Sequence, residues 1–134
     1  MGKKLEVVQK SLEAAHALRV DESLSYYTKD ATYRFGSFPP ATGIENIRKN
    51  LNDTHVDIMK SLHQEVIATW EIGDTVIIEM LVRITRIDDK VVEMPCVDII
   101  RLTDDDRIRD FRVYMDMGPF LEGIELPNYQ KPKS

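Results

Sequence analysis

Cysteine is nearly absent from the sequence, which has only Cys96 among its 134 residues. A single cysteine cannot form an internal disulfide bond, so the fold must depend on its hydrophobic core. Cys96 lies in an apolar segment, and a buried thiol is usually inert. We therefore expect a small core residue there and not a reactive thiol.

Long hydrophobic runs and an excess of positive charge are also missing. No apolar run approaches the roughly 20 residues of a membrane-spanning helix, and the opening MGKKLEVVQK lacks the apolar region of a signal peptide. The net charge of -5 argues against nucleic acid or an anionic membrane surface as the main partner. We expect a cytoplasmic protein that binds neither nucleic acid nor membranes.

The signatures of bound nucleotides and catalytic metals are missing too. The sequence contains no GxGxxG, P-loop, paired CxxC or HExxH. The function classes that remain are acid-base chemistry and plain binding. We therefore expect no cofactor and no metal.

The length and composition are those of one globular domain. A chain of 134 residues can bury a real core but is too short for two ordinary domains. We predict a single domain over 1–134, in which 122–134 form a polar, flexible tail.

Helical periodicity dominates the first half of the chain. The predicted elements are a helix from Lys3 to Arg19, a short helix from Asp21 to about Lys29, a strand over 31–35, and a helix after Thr42 that is interrupted near 52–55. The loop over 36–43, GSFPPATG, is rich in breakers. Phe38 in this loop is either a lid over a pocket or a hydrophobic plug pinned by two prolines.

Alternating apolar residues dominate the second half, which predicts strands over 61–71, 75–87, 91–102 and 107–116. Helices followed by such a run of strands predict an α+β domain. We expect N-terminal helices packed on a strongly curved, mostly antiparallel sheet that forms a conical half-barrel. Such a sheet leaves an internal pocket suited to a small ligand.

Asp98 is the one ionisable residue in an otherwise apolar row of the strand over 91–102. The other residues of this row are Val92, Met94, Cys96, Ile100 and Leu102. A carboxyl among apolar side chains has a raised pKa, which suits a proton donor or a neutral hydrogen-bond donor. In the alternative interpretation, a bulge reverses the alternation, and Asp98 faces water or pairs with an arginine.

Several short motifs carry a family resemblance. They are Tyr27 with DAT at 30–32 before the Pro-Pro loop, GIENI at 43–47, DIIRL at 98–102 before Arg107-Ile108, and RVYMD at 112–116. In this order they resemble the nuclear-transport-factor-two-like superfamily, and within it the ketosteroid isomerases and the SnoaL-like polyketide cyclase group. The resemblance covers roughly Leu5 to Leu121. It implies the conical fold and a homodimer in which one sheet face packs on its twin.

The resemblance also implies roles for single residues. Asp98 falls where ketosteroid isomerases keep the protonated aspartic acid of their oxyanion hole. The tyrosine donor of that hole falls at about Ser11 and the general base close to Phe35, so steroid isomerisation is not expected.

The limonene-epoxide-hydrolase branch gives a similar comparison. It shares an aspartate at Asp116, but its arginine and second aspartate fall at Glu79 and Leu81. Its water-activating triad therefore looks broken.

A SnoaL-like set of residues remains, with Asp98, His63 and Asp116 as the predicted catalytic residues. His63 begins a strand where SnoaL-like domains often carry a pocket histidine, and the ordinary pKa of histidine suits proton transfer. It is equally interpreted as a strand-end histidine bonded to a backbone carbonyl. The predicted substrate-binding residues are Tyr33, Phe35, Phe38, Arg83, Met94, Tyr114 and Met115.

Two of these predictions carry their own difficulty. Arg83 could pair with Asp98, Asp116 or Glu79 and lower the pKa of its partner, which would weaken the proton-donor hypothesis. Tyr114 and Asp116 share a strand face with Arg112, and that face could be the solvent side.

Two functions are consistent with this pattern. The first is a cofactor-independent isomerase, cyclase or dehydratase, in which Asp98 exchanges a proton with an apolar, carbonyl-bearing substrate and His63 is its nearest partner. The second is a non-catalytic small-molecule-binding or dimerisation domain of the same fold. The incomplete catalytic set favours the second, whereas the acid retained in an apolar row favours the first.

Overall fold

The computed structural model describes residues 2–124, so the predicted tail lies outside the described residues from residue 125 onward. The helices are α1 (Lys3–His16), α2 (Val20–Leu24), α3 (Ile44–Leu51) and α4 (Met117–Leu121), with a π-helical turn (Asn52–Val56) after α3. The strands are β1 (Tyr27–Phe35), β2 (Ala41–Thr42), β3 (Met59–Ile72), β4 (Thr75–Arg86), β5 (Val91–Leu102) and β6 (Ile108–Met115). In this range no helix is long and apolar enough to cross a membrane.

The six strands form one curved, unclosed sheet in the order β2-β1-β6-β5-β4-β3. All neighbours are antiparallel except β1 and β6, which run parallel. Strands β3 to β6 follow one another in the sheet as antiparallel neighbours. The last of them, β6, then lies next to β1 and runs in the same direction. The predicted α+β fold with a mostly antiparallel, curved sheet is confirmed.

Three predicted boundaries differ from the structure by three residues or more: the ends of the first two helices, and the start of β1, which begins at Tyr27 and not at Ala31. Helix α1 ends at His16, three residues early, because Leu18 adopts a left-handed conformation with φ 59° that cannot continue a helix. The second helix ends at Leu24 and not near Lys29, because Tyr27 already pairs with Ile108 in the parallel ladder.

The apolar rows predicted for the two central strands face inward and form the core. On β4 these residues are Val76, Ile78, Met80, Val82 and Ile84, and on β5 the row includes Asp98. All of them are buried, so no bulge reverses the alternation on β5.

The helices cover this inner face. Helix α1 lies across β3 and β4. The backbone amide of Leu5 in its first turn has no partner within the helix, and it donates to Oε1 of Glu71 on β3 at 2.9 Å. Helix α4 is held by Arg86, whose Nη1 donates to the carbonyl oxygens of Pro119 at 3.3 Å and Phe120 at 3.5 Å. Both helices are thus tied to the sheet by hydrogen bonds, and a cavity lies under α1 on the inner face of the sheet.

Candidate active site

The cavity lies between the inner face of the sheet, α1 and the π-helical turn, and its volume is about 50 Å³. Most of its lining is apolar. Its polar lining residues are Ser11, Ser23, Tyr27, Tyr33, His55, Gln64, Cys96 and Asp98. One water needs roughly 10–15 Å³, so the cavity as it stands has room for a few waters only.

Asp98 lies on the sheet wall of this cavity and is 2% exposed. Its neighbours across the ladder are Ile78 on β4 and Val113 on β6, which are apolar. Within residues 2–124, its carboxyl has one hydrogen bond, from the thiol of Cys96 to Oδ1 at 3.6 Å. The alternative in which Asp98 faces water or pairs with an arginine is therefore wrong.

This environment makes Asp98 a weak acid. Burial raises its pKa from 3.8 to about 7, and the hydrogen bond from Cys96 opposes that rise only in part. The carboxyl is consequently neutral at mildly acidic pH, and it divides between its two forms near neutrality. A neutral carboxyl can donate a hydrogen bond or a proton to an oxygen in the cavity.

Two tyrosines of β1 line the same cavity as Asp98. Tyr27 and Tyr33 are 4% and 3% exposed, and burial raises the pKa of both hydroxyls, with the charge of Asp98 adding to the effect. Both rings pack on Phe111, at centroid distances of 6.2 Å and 5.5 Å. They therefore stay neutral and remain hydrogen-bond donors near the carboxyl.

Ser11 lies where the resemblance places the tyrosine of the isomerases. In this structure it joins α1 to α2 through contacts with Ser23. Its hydroxyl lies 3.0 Å from that of Ser23, and the two residues also exchange hydrogen bonds with each other's backbone carbonyls. No tyrosine stands at this place on α1, whereas Tyr27 and Tyr33 of β1 line the cavity.

His55 contributes an imidazole to the cavity lining. It is 9% exposed and packs on Phe35 with ring centroids 4.8 Å apart. Burial, with a smaller effect from the charge of His16, lowers its pKa from 6.5 to about 4. His55 is therefore a neutral imidazole at physiological pH.

Among the predicted site residues, the structure brings Asp98, Tyr33, Phe35 and Met115 together in the cavity lining. Tyr33 and Phe35 come from β1, Asp98 from β5 and Met115 from the end of β6. Period-2 alternation predicts their common orientation, since all four face the inner side of the sheet.

The predicted catalytic residues His63 and Asp116 do not lie with Asp98. His63 is exposed on the outer face of β3 opposite Arg83, because its neighbours Leu62 and Gln64 take the inward positions. Asp116 is exposed as the N-cap of α4 and accepts a hydrogen bond from the Gly118 amide at 2.9 Å. Their predicted placement in the site is corrected accordingly.

The remaining predicted binding residues also lie outside the cavity lining. Arg83 is exposed and pairs with Glu93 at 3.1 Å, because these two outward residues face each other across the β4–β5 ladder. Tyr114 is 53% exposed, since β6 turns it to the outer face.

Phe38 and Met94 are buried but lie outside the lining. Phe38 stacks on Phe35 at a centroid distance of 5.8 Å, which fits the plug and not the lid. Met94 faces inward on β5 opposite Val82, two positions further from Asp98 than Cys96.

His55 and Gln64 both line the cavity, although neither is among the site residues predicted from the sequence. Gln64 could have been found from Leu62, since the two residues share a strand face. For His55 the signal was the interruption predicted near 52–55, which the structure shows as a π-helical turn. Such turns occur frequently at functional sites. In the described part of the chain, no three His, Cys, Asp or Glu side chains cluster as metal ligands do.

Comparisons with known proteins agree on the architecture. An NTF2-like protein of unknown function from Burkholderia pseudomallei superposes with a TM-score of 0.79 at 15% identity, over 92% of this chain and 98% of that one. A hypothetical protein with a ketosteroid isomerase-like fold from Catenulispora acidiphila, in complex with trimethylamine, gives 0.76 at 21% identity, over 95% and 98%. A putative SnoaL-like polyketide cyclase from Jannaschia sp. gives 0.77 at 18% identity, over 92% of both chains.

The sequence itself carries the family assignment. No curated protein matches the chain. The family model for the SnoaL-like domain matches residues 8–111, which run from within α1 to the middle of β6 and include every cavity residue described above except Val113 and Met115. The chain therefore belongs to the family of SnoaL-like domains.

Proposed function

We propose that the protein is a small-molecule enzyme that performs acid-base chemistry without a cofactor on an apolar, carbonyl-bearing substrate. The observation that carries this proposal is the burial of Asp98, without a cationic partner among the described residues, in the wall of an apolar cavity. In the proposed reaction, the neutral carboxyl of Asp98 donates to the substrate carbonyl oxygen. The reaction is of the isomerase, cyclase or dehydratase type.

The protonation state of Asp98 decides the energetic cost of its burial. A buried carboxylate without a cation is costly, whereas a neutral carboxyl in the same place can stabilise a developing oxyanion. Its pKa of about 7 lies near physiological pH, where general acids work best. The neutral hydroxyls of Tyr27 and Tyr33 add donors without adding charge.

The apolar cavity lining supports the proposed substrate class. Apolar side chains surround the polar cluster, so a ligand with one carbonyl and a hydrocarbon body fits the chemistry of the walls. A cavity of about 50 Å³ cannot hold such a ligand unless side chains move. Met59 and Met115 are the most adaptable of the lining residues, because methionine has three rotatable bonds and a polarizable sulfur.

The same small volume favours the alternative function. Sites for drug-sized ligands usually enclose about 300–1,000 Å³, far more than this cavity. A non-catalytic small-molecule-binding or dimerisation domain of the same fold would need no space for a reaction. The two functions differ in whether a bound ketone reacts.

The test follows the exchange of α hydrogens of ketones in D₂O by proton NMR. Cyclohexanone, acetophenone and 2-tetralone serve as probes of increasing size, with Asp98→Asn as the matched variant. We expect the wild type to accelerate exchange of at least one probe, and Asp98→Asn to lose about 100-fold or more of that rate. Binding of the probes without any acceleration over buffer would refute the enzyme and favour the binding domain.

We also propose that the protein forms a homodimer through the outer face of the sheet. An apolar outer patch, defined as Trp70, Ile77, Val97, Ile99 and Tyr114, runs across four strands. Trp70 is 46% exposed and Tyr114 53% exposed. A second copy of the chain would cover this patch, and the same patch on both copies suits a twofold axis.

A cytoplasmic location stays a prediction from the sequence.

A further inference from the structure

His55 also lines the cavity, and acid catalysis by Asp98 assigns it no role. It lies on the π-helical turn, on the helical side of the cavity, while Asp98 lies on the sheet side. A carbonyl compound held between the two would meet an acid from the sheet and an imidazole from the turn.

The hydrogen bonds of Thr54 determine which nitrogen of His55 carries the proton. The hydroxyl of Thr54 donates its single hydrogen to the backbone carbonyl of Asn50 at 2.8 Å. The same oxygen lies 2.8 Å from Nδ1 of His55 and can only accept there. Neutral His55 therefore carries its proton on Nδ1, and Nε2 is left with a free lone pair.

Nε2 is also free of other partners. Within residues 2–124, no hydrogen bond reaches Nε2 of His55, while Nδ1 is engaged by Thr54. The imidazole ring is held in place by Phe35, whose ring lies at 48° to it. The side chain is thus a fixed base whose tautomer is set by a neighbour, as in other sites where a histidine accepts a proton.

We propose that His55 is the proton acceptor of the cavity and that its Nε2 removes the α proton of a ketone whose oxygen is bound by Asp98. This inference rests on the proposed function and assigns the base that it lacks. The substrate class is thereby narrowed to carbonyl compounds with a hydrogen on the adjacent carbon.

The proposed step balances without a further reactant. The α C–H bond breaks, its proton forms a bond to Nε2 of His55, and its electron pair becomes the C=C bond of the enol. The carbonyl π pair moves to oxygen, which takes the proton of Asp98. The products are an enol, an imidazolium and a carboxylate, and return of the protons gives exchange, isomerisation or ring closure.

Burial, with a smaller effect of a neighbouring charge, keeps His55 in its basic form. The titratable groups that share the cavity or act on the ring are His16 on α1, Tyr27 and Tyr33 on β1, and Cys96 and Asp98 on β5. Burial and His16 lower the pKa of His55 to about 4, whereas burial raises that of Asp98 to about 7. Both residues hold their active forms between these two values, so the exchange rate should be bell-shaped in pH.

The first test needs no substrate. Long-range proton–nitrogen NMR correlation of the full chain at pH 7 reports which ring nitrogen of each of the three histidines is protonated. The His55 signals are assigned by their absence in His55→Gln. We expect a proton on Nδ1 and a bare Nε2 in the wild type and in Thr54→Ser, and a loss of this preference in Thr54→Val. A proton on Nε2 in the wild type would overturn the inference, whatever the protein does to ketones.

The second test uses ketone exchange in D₂O with His55→Gln and its control His63→Gln, the same substitution on an exposed strand face. We expect His55→Gln to lose about 100-fold or more of the rate and the acidic limb of its pH profile, and His63→Gln to keep both. Full activity of His55→Gln beside an inactive Asp98→Asn would overturn this inference and leave the proposed function intact. No exchange by the wild type would overturn both.

Discussion

The thiol of Cys96 lies 3.6 Å from Oδ1 of Asp98, and the two side chains occupy consecutive inward positions on β5. A thiol is a weak donor, so it compensates little for the burial of the carboxyl. The ladder neighbours Ile78 and Val113 offer no polar contact. The raised pKa of Asp98 therefore follows from its burial, which the weak hydrogen bond from Cys96 offsets only in part.

Replacing Asp98 should change how stability depends on pH. Because its pKa rises from 3.8 to about 7 on folding, the native protein keeps a proton that the unfolded chain releases. This stabilisation is complete below pH 3.8 and is lost as the pH rises through 7. We expect the free energy of unfolding of the wild type, relative to Asp98→Asn, to fall by on the order of 4 kcal/mol between pH 4 and pH 8. Urea unfolding at both pH values measures it, and a constant difference would contradict a buried, unpaired carboxyl.

His55 should show the opposite dependence. Its pKa falls from 6.5 to about 4 on folding, so its contribution is complete above pH 6.5 and is lost as the pH falls through 4. Relative to His55→Gln, the wild type should lose on the order of 3 kcal/mol of unfolding free energy between pH 7 and pH 4. The same urea series checks this, and the exposed His63→Gln variant should track the wild type. A wild type that keeps its stability relative to His55→Gln as the pH falls to 4 would mean that His55 binds a proton as readily in the native state as in the unfolded chain.

Much of the fold could be predicted from alternation and breakers. The rows on β4 and β5 follow directly from period 2, since one face of each strand is apolar, with Asp98 as the one charged exception on β5. The parallel pairing of β1 with β6 could not be predicted, because it depends on a long-range contact between Tyr27 and Ile108. The early end of α1 depends on the backbone of Leu18, a residue type that rarely takes a left-handed conformation.

The site was predictable only where a strand row pointed to it. Asp98, Tyr33 and Phe35 share inward parity with apolar neighbours, and the structure places all three in the lining. His63 misled the prediction because one residue of register decides which face a strand residue occupies. His55 lies on a π-helical turn, whose side-chain directions follow neither the helical nor the strand period.

Helix α4 should depend on a single buried cation. Arg86 is 1% exposed, bonds Asp88 through Nη2 at 2.6 Å and reaches two carbonyls of α4 through Nη1. We expect Arg86→Met to cost roughly 3 kcal/mol and to speed hydrogen exchange in 117–121, because those carbonyls lose their charged donor. The control Arg83→Met removes an exposed arginine of the same strand and should change stability by less than about 0.5 kcal/mol. Equal effects of the two variants would refute this role.

The outer patch should control the oligomeric state. A glutamate in place of Trp70 would put a charge into an apolar contact between copies, so we expect Trp70→Glu to be a monomer where the wild type is a dimer. Sedimentation velocity at matched concentrations measures this. Ile87→Glu is the control. Ile87 is 55% exposed, but it comes directly after the end of β4, whereas Ile77 of the patch lies near the start of that strand. A wild type that sediments as a monomer would contradict the proposed interface.

The pKa of Asp98 tests the proposed acid catalysis most directly. Carbon-detected NMR titration of the side-chain carboxyl, with Asp98→Asn to assign the signal, gives its pKa in the folded protein. We expect a value of about 7, which corresponds to a buried acid ready to donate to a carbonyl oxygen. A value at or below the ordinary 3.8 would mean an exposed or cation-paired carboxylate and would contradict the proposed acid catalysis.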